Sequence, residues 1–309
     1  MQSVMQMETT QAKIAQYTTV LREQKTAENT IVSYERDLCQ MADYLRSVYG
    51  VECGGATQAQ LQSYLHHMER ENKRPATIAR AAASIKAFFR YLNQTGQAAS
   101  NPAQGLKAPK VEKGVPYIMS PQETVRLLRQ PQGDAPKAVR DRAMLQLLYA
   151  TGIRVSELVQ LQTDDVNLTM EYLLCRYGAR ERVIPFGKEA KQSLQMYLEQ
   201  ARPQLVKDPS CTMLFTNLSG QKMSRQGFWK LIKQYAKAAG IQQEITPHTL
   251  RHSFAAHLVN NGADLGAVSR MMGFADLSAA QIYADMHQVS VREAYKKAHP
   301  MEHTADGTE

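Results

Sequence analysis

Four short patterns carry side chains that could do chemistry together. Arg154 lies in Ala-Thr-Gly-Ile-Arg-Val-Ser-Glu-Leu, just after a glycine placed to stop a helix. His248 and Arg251 lie in His-Thr-Leu-Arg at a helix start. Their i,i+3 spacing puts imidazole and guanidinium on one face, and a helix N-terminus offers an anion a favourable field. Gly273-Phe274-Ala-Asp-Leu-Ser follows, and Tyr283 stands in Ala-Gln-Ile-Tyr, nine residues after Phe274. Two arginines, a histidine and a tyrosine match the needs of phosphoryl transfer to a phenolate. In-line attack on a phosphodiester builds negative charge on the nonbridging oxygens, which fixed guanidinium forks neutralise bidentately. A neutral histidine can assist the proton leaving the tyrosine, whose unperturbed pKa of about 10 makes it a poor nucleophile. A covalent phosphotyrosine conserves the bond energy, so the chemistry needs no ATP, metal or other cofactor.

Each residue alone has a plainer reading. Arg154 could pair with Glu157 at i,i+3, and a single Tyr283 is more often a half-buried helix tyrosine. His248 and His252 have the spacing of a helical metal pair, but no H-E-x-x-H glutamate or third ligand is near, so no metal site is expected. His66-His67, His257 and His303 have no partner in the sequence. Trp229, with Phe228, Leu231, Ile232 and Tyr235, is expected to pack its helix against a core; Lys230, Lys233 and Lys237 on that helix either touch phosphates or are solvated.

The elements that must position these groups are mostly helical. Ser120, Pro121 and Glu123 spell a capping box, Arg140 to Tyr149 is a strong helix stopped at Gly152, and helices resume at Glu189–Glu199, Ser224–Ala239, Pro247–Asn260, Leu265–Met272 and Ser278–Met286. Tyr172 to Phe186 reads as a β-hairpin with its turn around Gly178. Upstream, Thr30–Val48, Gln58–Met68 and Thr77–Leu92 form amphipathic helices of a separate small domain. Gly and Pro end it near Asn101-Pro102, and Ala103 to Pro116 reads as a linker. The expected organisation is a helical domain over 14–104, a linker over 105–117, and a helical domain with a small β-sheet over 118–309.

From Asn72 to Val111 there is no Asp or Glu, yet Lys73, Arg74, Arg80, Lys86, Arg90, Lys107 and Lys110 fall inside. Arg80, Lys86 and Arg90 lie opposite the apolar stripe of their helix. A solvated face is the usual meaning of such a run; the absence of a compensating acid favours phosphate contact. Over the whole chain of 309 residues, 37 Lys plus Arg against 29 Asp plus Glu give +8 and a pI near 9.2, which favours a polyanionic partner. With 43% hydrophobic and 21% charged residues the composition is that of a globular protein, not a disordered one. No run approaches the ~18 apolar residues of a membrane helix, no leader opens the chain, and Cys39, Cys53, Cys175 and Cys211 form no C-x-x-C pair. A cytoplasmic protein with reduced thiols is expected.

The ordered set Arg154, His248, Arg251 and Tyr283 resembles the tyrosine recombinases, and among them the Xer-like recombinases and phage-type integrases. The resemblance runs from about Thr18 to Pro300. Asn29-Thr-Ile-Val-Ser-Tyr-Glu-Arg-Asp-Leu and Arg80 to Asn101-Pro102 are similar to that family's SAM-like, helical core-binding domain. The resemblance implies a site-specific DNA recombinase that cleaves and rejoins strands through a 3′-phosphotyrosyl intermediate, with Arg154 as first arginine, His248 as box histidine, Arg251 as second arginine and Tyr283 as nucleophile. It also implies a C-shaped clamp on duplex DNA, paired recombination sites, a homo- or hetero-tetramer on DNA from a monomer or weak oligomer, and a C-terminal segment, here Val289 to His299, docking on a neighbouring protomer. Since little precedes the first helix, a separate arm-site domain is not expected.

Two positions depart from the family pattern. Phe274 stands where a His or Trp is usual, which keeps the packing but loses a hydrogen bond to the phosphate. The hairpin lysine that protonates the leaving 5′ oxygen is absent; its position is Tyr177, or Arg176 if the turn carries the deletion. Arginine is a poor proton donor because its pKa exceeds about 12. These departures motivate an alternative, a catalytically degenerate DNA-binding relative with an architectural or regulatory role. A relaxing topoisomerase is a third, since it shares the chemistry.

Overall fold

The computed structural model describes residues 9–110, 116–177, 180–274, 276 and 278–285. The chain divides into two compact units, Met1–Gly114 and Val115–Glu309.

Among the described residues the first unit has four α-helices, α1 (Thr10–Glu23), α2 (Glu28–Tyr49), α3 (Gln58–Arg70) and α4 (Pro75–Gln94). The last three follow the apolar stripes of the sequence. Ile31, Leu38, Met41 and Leu45 of α2 meet Leu61 and Leu65 of α3 and Ile78, Ile85, Phe88, Phe89 and Leu92 of α4. The first was not expected, because its buried stripe is only Ile14, Tyr17 and Leu21 with two threonines, too sparse to stand out. Thr9 caps α1, and a reciprocal Thr57–Gln60 capping box starts α3. Ala103 and Leu106 are buried in the same core, so the connecting stretch leaves it only after Leu106.

The positive stripe on α4 is not unopposed. Arg80 donates from Nε and Nη2 to the two carboxylate oxygens of Asp37, at 2.9 Å each, and Asp37 is 1% exposed. The balancing acid comes from α2, across the fold rather than along the chain, where a search of neighbouring sequence does not reach. Lys73, Arg74 and Arg90 are exposed, and Lys86 is partly so.

The second unit opens with the expected Ser120–Glu123 capping box, its two reciprocal bonds 3.1 and 2.8 Å long, at the head of α5 (Pro121–Leu128). Next come α6 (Pro136–Thr151), the single-turn α7 (Val155–Leu158), β1 (Val166–Asn167), β2 (Tyr172–Tyr177) and β3 (Arg180–Pro185). The strands form one antiparallel sheet, β1-β2-β3, registered Tyr172 to Pro185 and Tyr177 to Arg180. The turn expected around Gly178 lies outside the described residues. Then come α8 (Lys188–Met196), a π turn (Tyr197–Ala201), α9 (Arg202–Leu205), α10 (Arg225–Ala238), α11 (Pro247–Asn260), α12 (Leu265–Met272) and a helical segment over 278–285. Met286 and the Val289 to His299 segment lie outside the described residues. No helix among the described residues is long and apolar enough to cross a membrane.

The main core surrounds α6, whose Val139, Ala143, Met144, Leu145, Leu147 and Leu148 are all buried. A separate apolar cluster joins α11, α12 and 278–285 through Phe254, Ala255, Val268, Met272, Ala280 and Tyr283. Trp229 is not in a core: it is 41% exposed, with the Lys233 Nζ 4.3 Å above its ring. The buried stripe of α10 is Phe228, Leu231, Ile232 and Ala236, and Trp229 falls one residue off that i,i+3,i+4 row, facing Lys233 at i+4.

Candidate active site

The C-terminal end of α12 organises the site. A helix end leaves carbonyls unpaired and carries partial negative charge. Three guanidinium groups from three different elements bond three consecutive carbonyls there. Arg182 Nε from β3 donates to Met271 O at 3.0 Å, Arg251 Nη2 from α11 donates to Met272 O, and Arg154 Nη2 donates to Gly273 O at 3.3 Å. Gly273 closes the helix at φ +63°, and a Cβ there would come within 3.1 Å of the Arg182 guanidinium. The residue type thus serves both a left-handed backbone and a close approach.

Arg154 is placed by the way α6 ends. Gly152 stops the helix at φ +60°; a Cβ there would lie 2.2 Å from the Phe254 ring. Arg154 then caps α7 in extended conformation. Buried Glu157 holds it: Oε2 accepts the Arg154 backbone N–H at 2.7 Å, and Oε1 accepts Nη1 at 3.2 Å. The same Oε2 accepts Arg182 Nη2 at 2.7 Å. Burial opposes ionisation of Glu157, but the Arg182 hydrogen bond, the Arg154 N–H and both guanidinium charges outweigh it and hold the carboxyl below the usual range. The plain pairing of Arg154 with Glu157 is therefore present inside the cluster. Cys175, buried beside Glu157, has its thiol pushed up to about 12 by burial first and by that carboxylate second, so it stays protonated.

Arg251 is 5% exposed and also donates from Nη1 to Gly152 O, tying the end of α6 to the end of α12. Burial and the neighbouring Arg154 charge lower its pKa to about 10, which leaves it a cation at neutral pH. Its Cζ lies 5.5 Å from the Phe274 ring centroid, and Phe274 stacks on Tyr283 at 6.4 Å and 22°. Phe274 thus packs the arginine and the tyrosine together. His248 lies in the first turn of α11, which Thr246 caps. His248 is exposed, yet partial desolvation and then the Arg251 and Arg154 charges lower its pKa, favouring neutral imidazole at pH 7.

Tyr283 is 1% exposed, and its hydroxyl is 2.7 Å from His252 Nδ1. Burial raises the Tyr283 pKa, and the Arg251 charge only partly offsets that. The residues picked from the sequence as chemical, Arg154, His248, Arg251 and Tyr283, thus share one site with Phe274. Arg176 is engaged elsewhere, bonded to Asp165 and, at 3.2 Å, to Glu181. The Tyr177 side chain lies outside the described residues.

Sequence reasoning missed Arg182 and His252 as parts of the site. A signal existed for Arg182: in the strand pattern Arg-Val-Ile-Pro, alternation puts Arg182 on the face of the apolar Ile184, which the structure buries while Val183 is exposed. For His252 the i,i+4 spacing to His248 was visible, but its partner lay 31 residues away.

Residues 118–289 match the phage integrase family, and residues 14–96 match its N-terminal SAM-like domain. The chain is 41% identical over 280 residues to tyrosine recombinase XerD of Halalkalibacterium halodurans, covering 90% of this chain and 94% of that one. It is 39% identical over 281 residues to tyrosine recombinase XerD of Listeria monocytogenes, covering 90% and 95%. Among solved structures it is similar to the XerH site-specific recombinase bound to its palindromic difH substrate, with TM-score 0.72, 20% identity, and coverage of 86% of this chain and 79% of that one. The Tn1549 transposon integrase in complex with a circular intermediate DNA gives TM-score 0.69, 21% identity, and coverage of 92% and 99%. The chain belongs to the phage integrase family, among its Xer-like tyrosine recombinases.

Proposed function

We propose that this protein is a site-specific DNA recombinase in which Tyr283 attacks a DNA phosphodiester held by Arg154, His248 and Arg251, forming a 3′-phosphotyrosyl bond. The observation that carries this reading is the gathering of fixed guanidinium groups at the end of α12, with Tyr283 packed against them through Phe274. Guanidinium groups already locked by Glu157 and backbone carbonyls need no reorganisation when negative charge develops on the phosphate. Neutral His248 assists proton movement at the bound phosphate. With Tyr283 1% exposed, attack requires the 278–285 segment to lift the hydroxyl toward the phosphate. The partner is duplex DNA with paired recombination sites, engaged in the cytoplasm by a tetramer, with Val289 to His299 as the exchanged segment. The first unit, through Leu106 rather than the expected 104, acts as the core-binding domain, the stretch after Leu106 to 117 as the linker and 118–309 as the catalytic domain. The test is incubation with nicked suicide duplexes, built on sequences the protein selects from random-sequence DNA. Covalent adducts and rejoined recombinant strands are expected, and tight binding with neither product would contradict the reading.

Lys73, Arg74, Lys86 and Arg90 are assigned to phosphate contact, with Arg80 contributing only the part of its charge that Asp37 leaves over. Replacing Lys73, Arg74, Lys86 and Arg90 with alanine is expected to weaken binding to all sequences. The slope of log affinity against log salt should shrink by about 1 for each phosphate that is no longer neutralised. Arg80→Ala should instead lower the melting temperature, since it strands the buried Asp37 carboxylate. Salt titrations and thermal melts separate the two effects.

With Arg176 bound to Asp165 and Glu181, Tyr177 is the position left for the leaving-group donor. Tyr177→Lys is expected to speed cleavage by up to ~10²-fold by supplying a titratable ammonium. A 5′-phosphorothiolate duplex, whose leaving sulfur needs no proton, should be cleaved faster than ordinary DNA by the unmodified protein. Equal rates on both substrates would mean that proton donation there does not limit cleavage.

A further inference from the structure

We propose that His252 is a catalytic residue, the group that accepts the proton of Tyr283 as the tyrosine attacks. This deepens the recombinase reading above and rests on it. The supporting geometry is direct: His252 Nδ1 and Tyr283 Oη are 2.7 Å apart, within the reach required of a general base, and their rings are 5.9 Å apart. A base role requires the phenol to donate and Nδ1 to accept, and so the Nε2–H tautomer of the imidazole.

Among the described residues, the charged and titratable groups around His252 are His248 and Arg251 on its own helix and Tyr283 on the 278–285 segment. With burial, the first two lower the His252 pKa, so the ring is neutral at pH 7 and free to take a proton. His248 and His252 are one helical turn apart on the same face of α11. A phosphate held by His248 and Arg251 would therefore lie along the helix that also carries the His252 ring bonded to the Tyr283 hydroxyl. Placing the acceptor next to the nucleophile answers the problem created by burial, which raises the phenol's pKa and suppresses its spontaneous ionisation.

In the step, the Tyr283 O–H bond breaks and its proton goes to His252 Nδ1. The phenolic oxygen bonds to phosphorus, and the phosphorus bond to the 5′ oxygen breaks. That oxygen leaves with its electron pair and takes a proton from solvent water, to which the His252 imidazolium later returns one. The division of labour follows: His248 faces the phosphate, and His252 faces the nucleophile.

The test uses the full chain and nicked suicide duplexes carrying a sequence it selects, with single-turnover adduct formation followed from pH 5 to 9.5. In the unmodified protein the rate should rise with pH through an apparent pKa below about 6.5 and then level off. His252→Asn places an amide oxygen where Nδ1 stood, so it can hold the hydroxyl but cannot take its proton. It is expected to bind DNA normally and to cleave ~10²–10⁴-fold more slowly at pH 7. Its rate should keep climbing at alkaline pH, as the phenol ionises without help. An unchanged rate, a loss equal at every pH, or a faster rate would overturn the proposal, the last because His252 would then restrain the tyrosine rather than serve it. Long-range ¹H–¹⁵N NMR of the unmodified protein checks the same point without a variant: His252 should be neutral at pH 7 with its proton on Nε2, and a proton on Nδ1 would overturn it. If the unmodified protein forms no adduct through Tyr283, the recombinase reading itself fails and this step fails with it; an adduct with an unaltered His252→Asn profile rejects only the step.

Discussion

Tyr283→Phe should form no covalent DNA adduct while binding DNA as tightly as the unmodified protein. The substitution removes one oxygen and keeps the ring that packs with Phe254, Met272 and Ala280 and stacks on Phe274. It leaves the His252 nitrogen without its phenol partner, a loss of about 1–3 kcal/mol at most for one buried polar group, which a chain of this size should tolerate. The guanidinium cluster does not depend on the hydroxyl: its bonds run to Glu157 and to the carbonyls of Gly152, Met271, Met272 and Gly273. Binding and chemistry should therefore separate cleanly, because no water-based bypass leaves a strand joined to protein. Denaturing gels score the adduct, and mobility shifts on the same duplex score binding. An adduct persisting in Tyr283→Phe would move the nucleophile to another residue.

Glu157→Ala should be the most damaging single change to stability among the site residues. Glu157 is 3% exposed and is the common acceptor of Arg182, the Arg154 guanidinium and the Arg154 backbone N–H. Arg182 keeps 15% of its side chain exposed, so it cannot recover full hydration when the carboxylate goes. Removing one partner of a buried ion pair costs roughly 3–5 kcal/mol. At about 2–4 °C per kcal/mol for a domain of this size, the melting temperature should fall by roughly 6–20 °C. Because the folded carboxyl titrates below its unfolded value, its stabilisation is fully present above the unfolded pKa of about 4.3 and is lost as pH falls through the folded pKa. The melting curves of Glu157→Ala and the unmodified protein should therefore converge in acid and stand furthest apart near neutrality. A gap independent of pH would assign the loss to the cavity alone.

Local rules of the sequence located most of the frame. Apolar spacing marked α2, α3 and α4, Ser120 and Glu123 marked the start of α5, and Gly152 and Gly273 marked helix ends that the backbone fulfils at positive φ. These signals lie within a few residues of what they specify. Pairings across the fold were not legible in the same way. Asp37 reaches Arg80 over 43 residues, Glu157 reaches Arg182 over 25, and His252 reaches Tyr283 over 31. In each case both partners were visible, and only tertiary packing decided which side chain met which. Trp229 shows the same limit from the other side: its type favours a core, and its position one residue off the α10 stripe put it at the surface.

The most direct measurement is the chemical identity of the protein–DNA bond. Adduct formed by the unmodified protein on a nicked suicide duplex can be trimmed with nuclease and protease and sequenced by tandem mass spectrometry. A nucleotide joined through its 3′-phosphate to Tyr283 is expected, with no modified peptide from Tyr283→Phe. A 5′ linkage, a linkage to any other residue, or strand joining without a protein-bound intermediate would contradict the assignment of this site as the centre of a tyrosine recombinase.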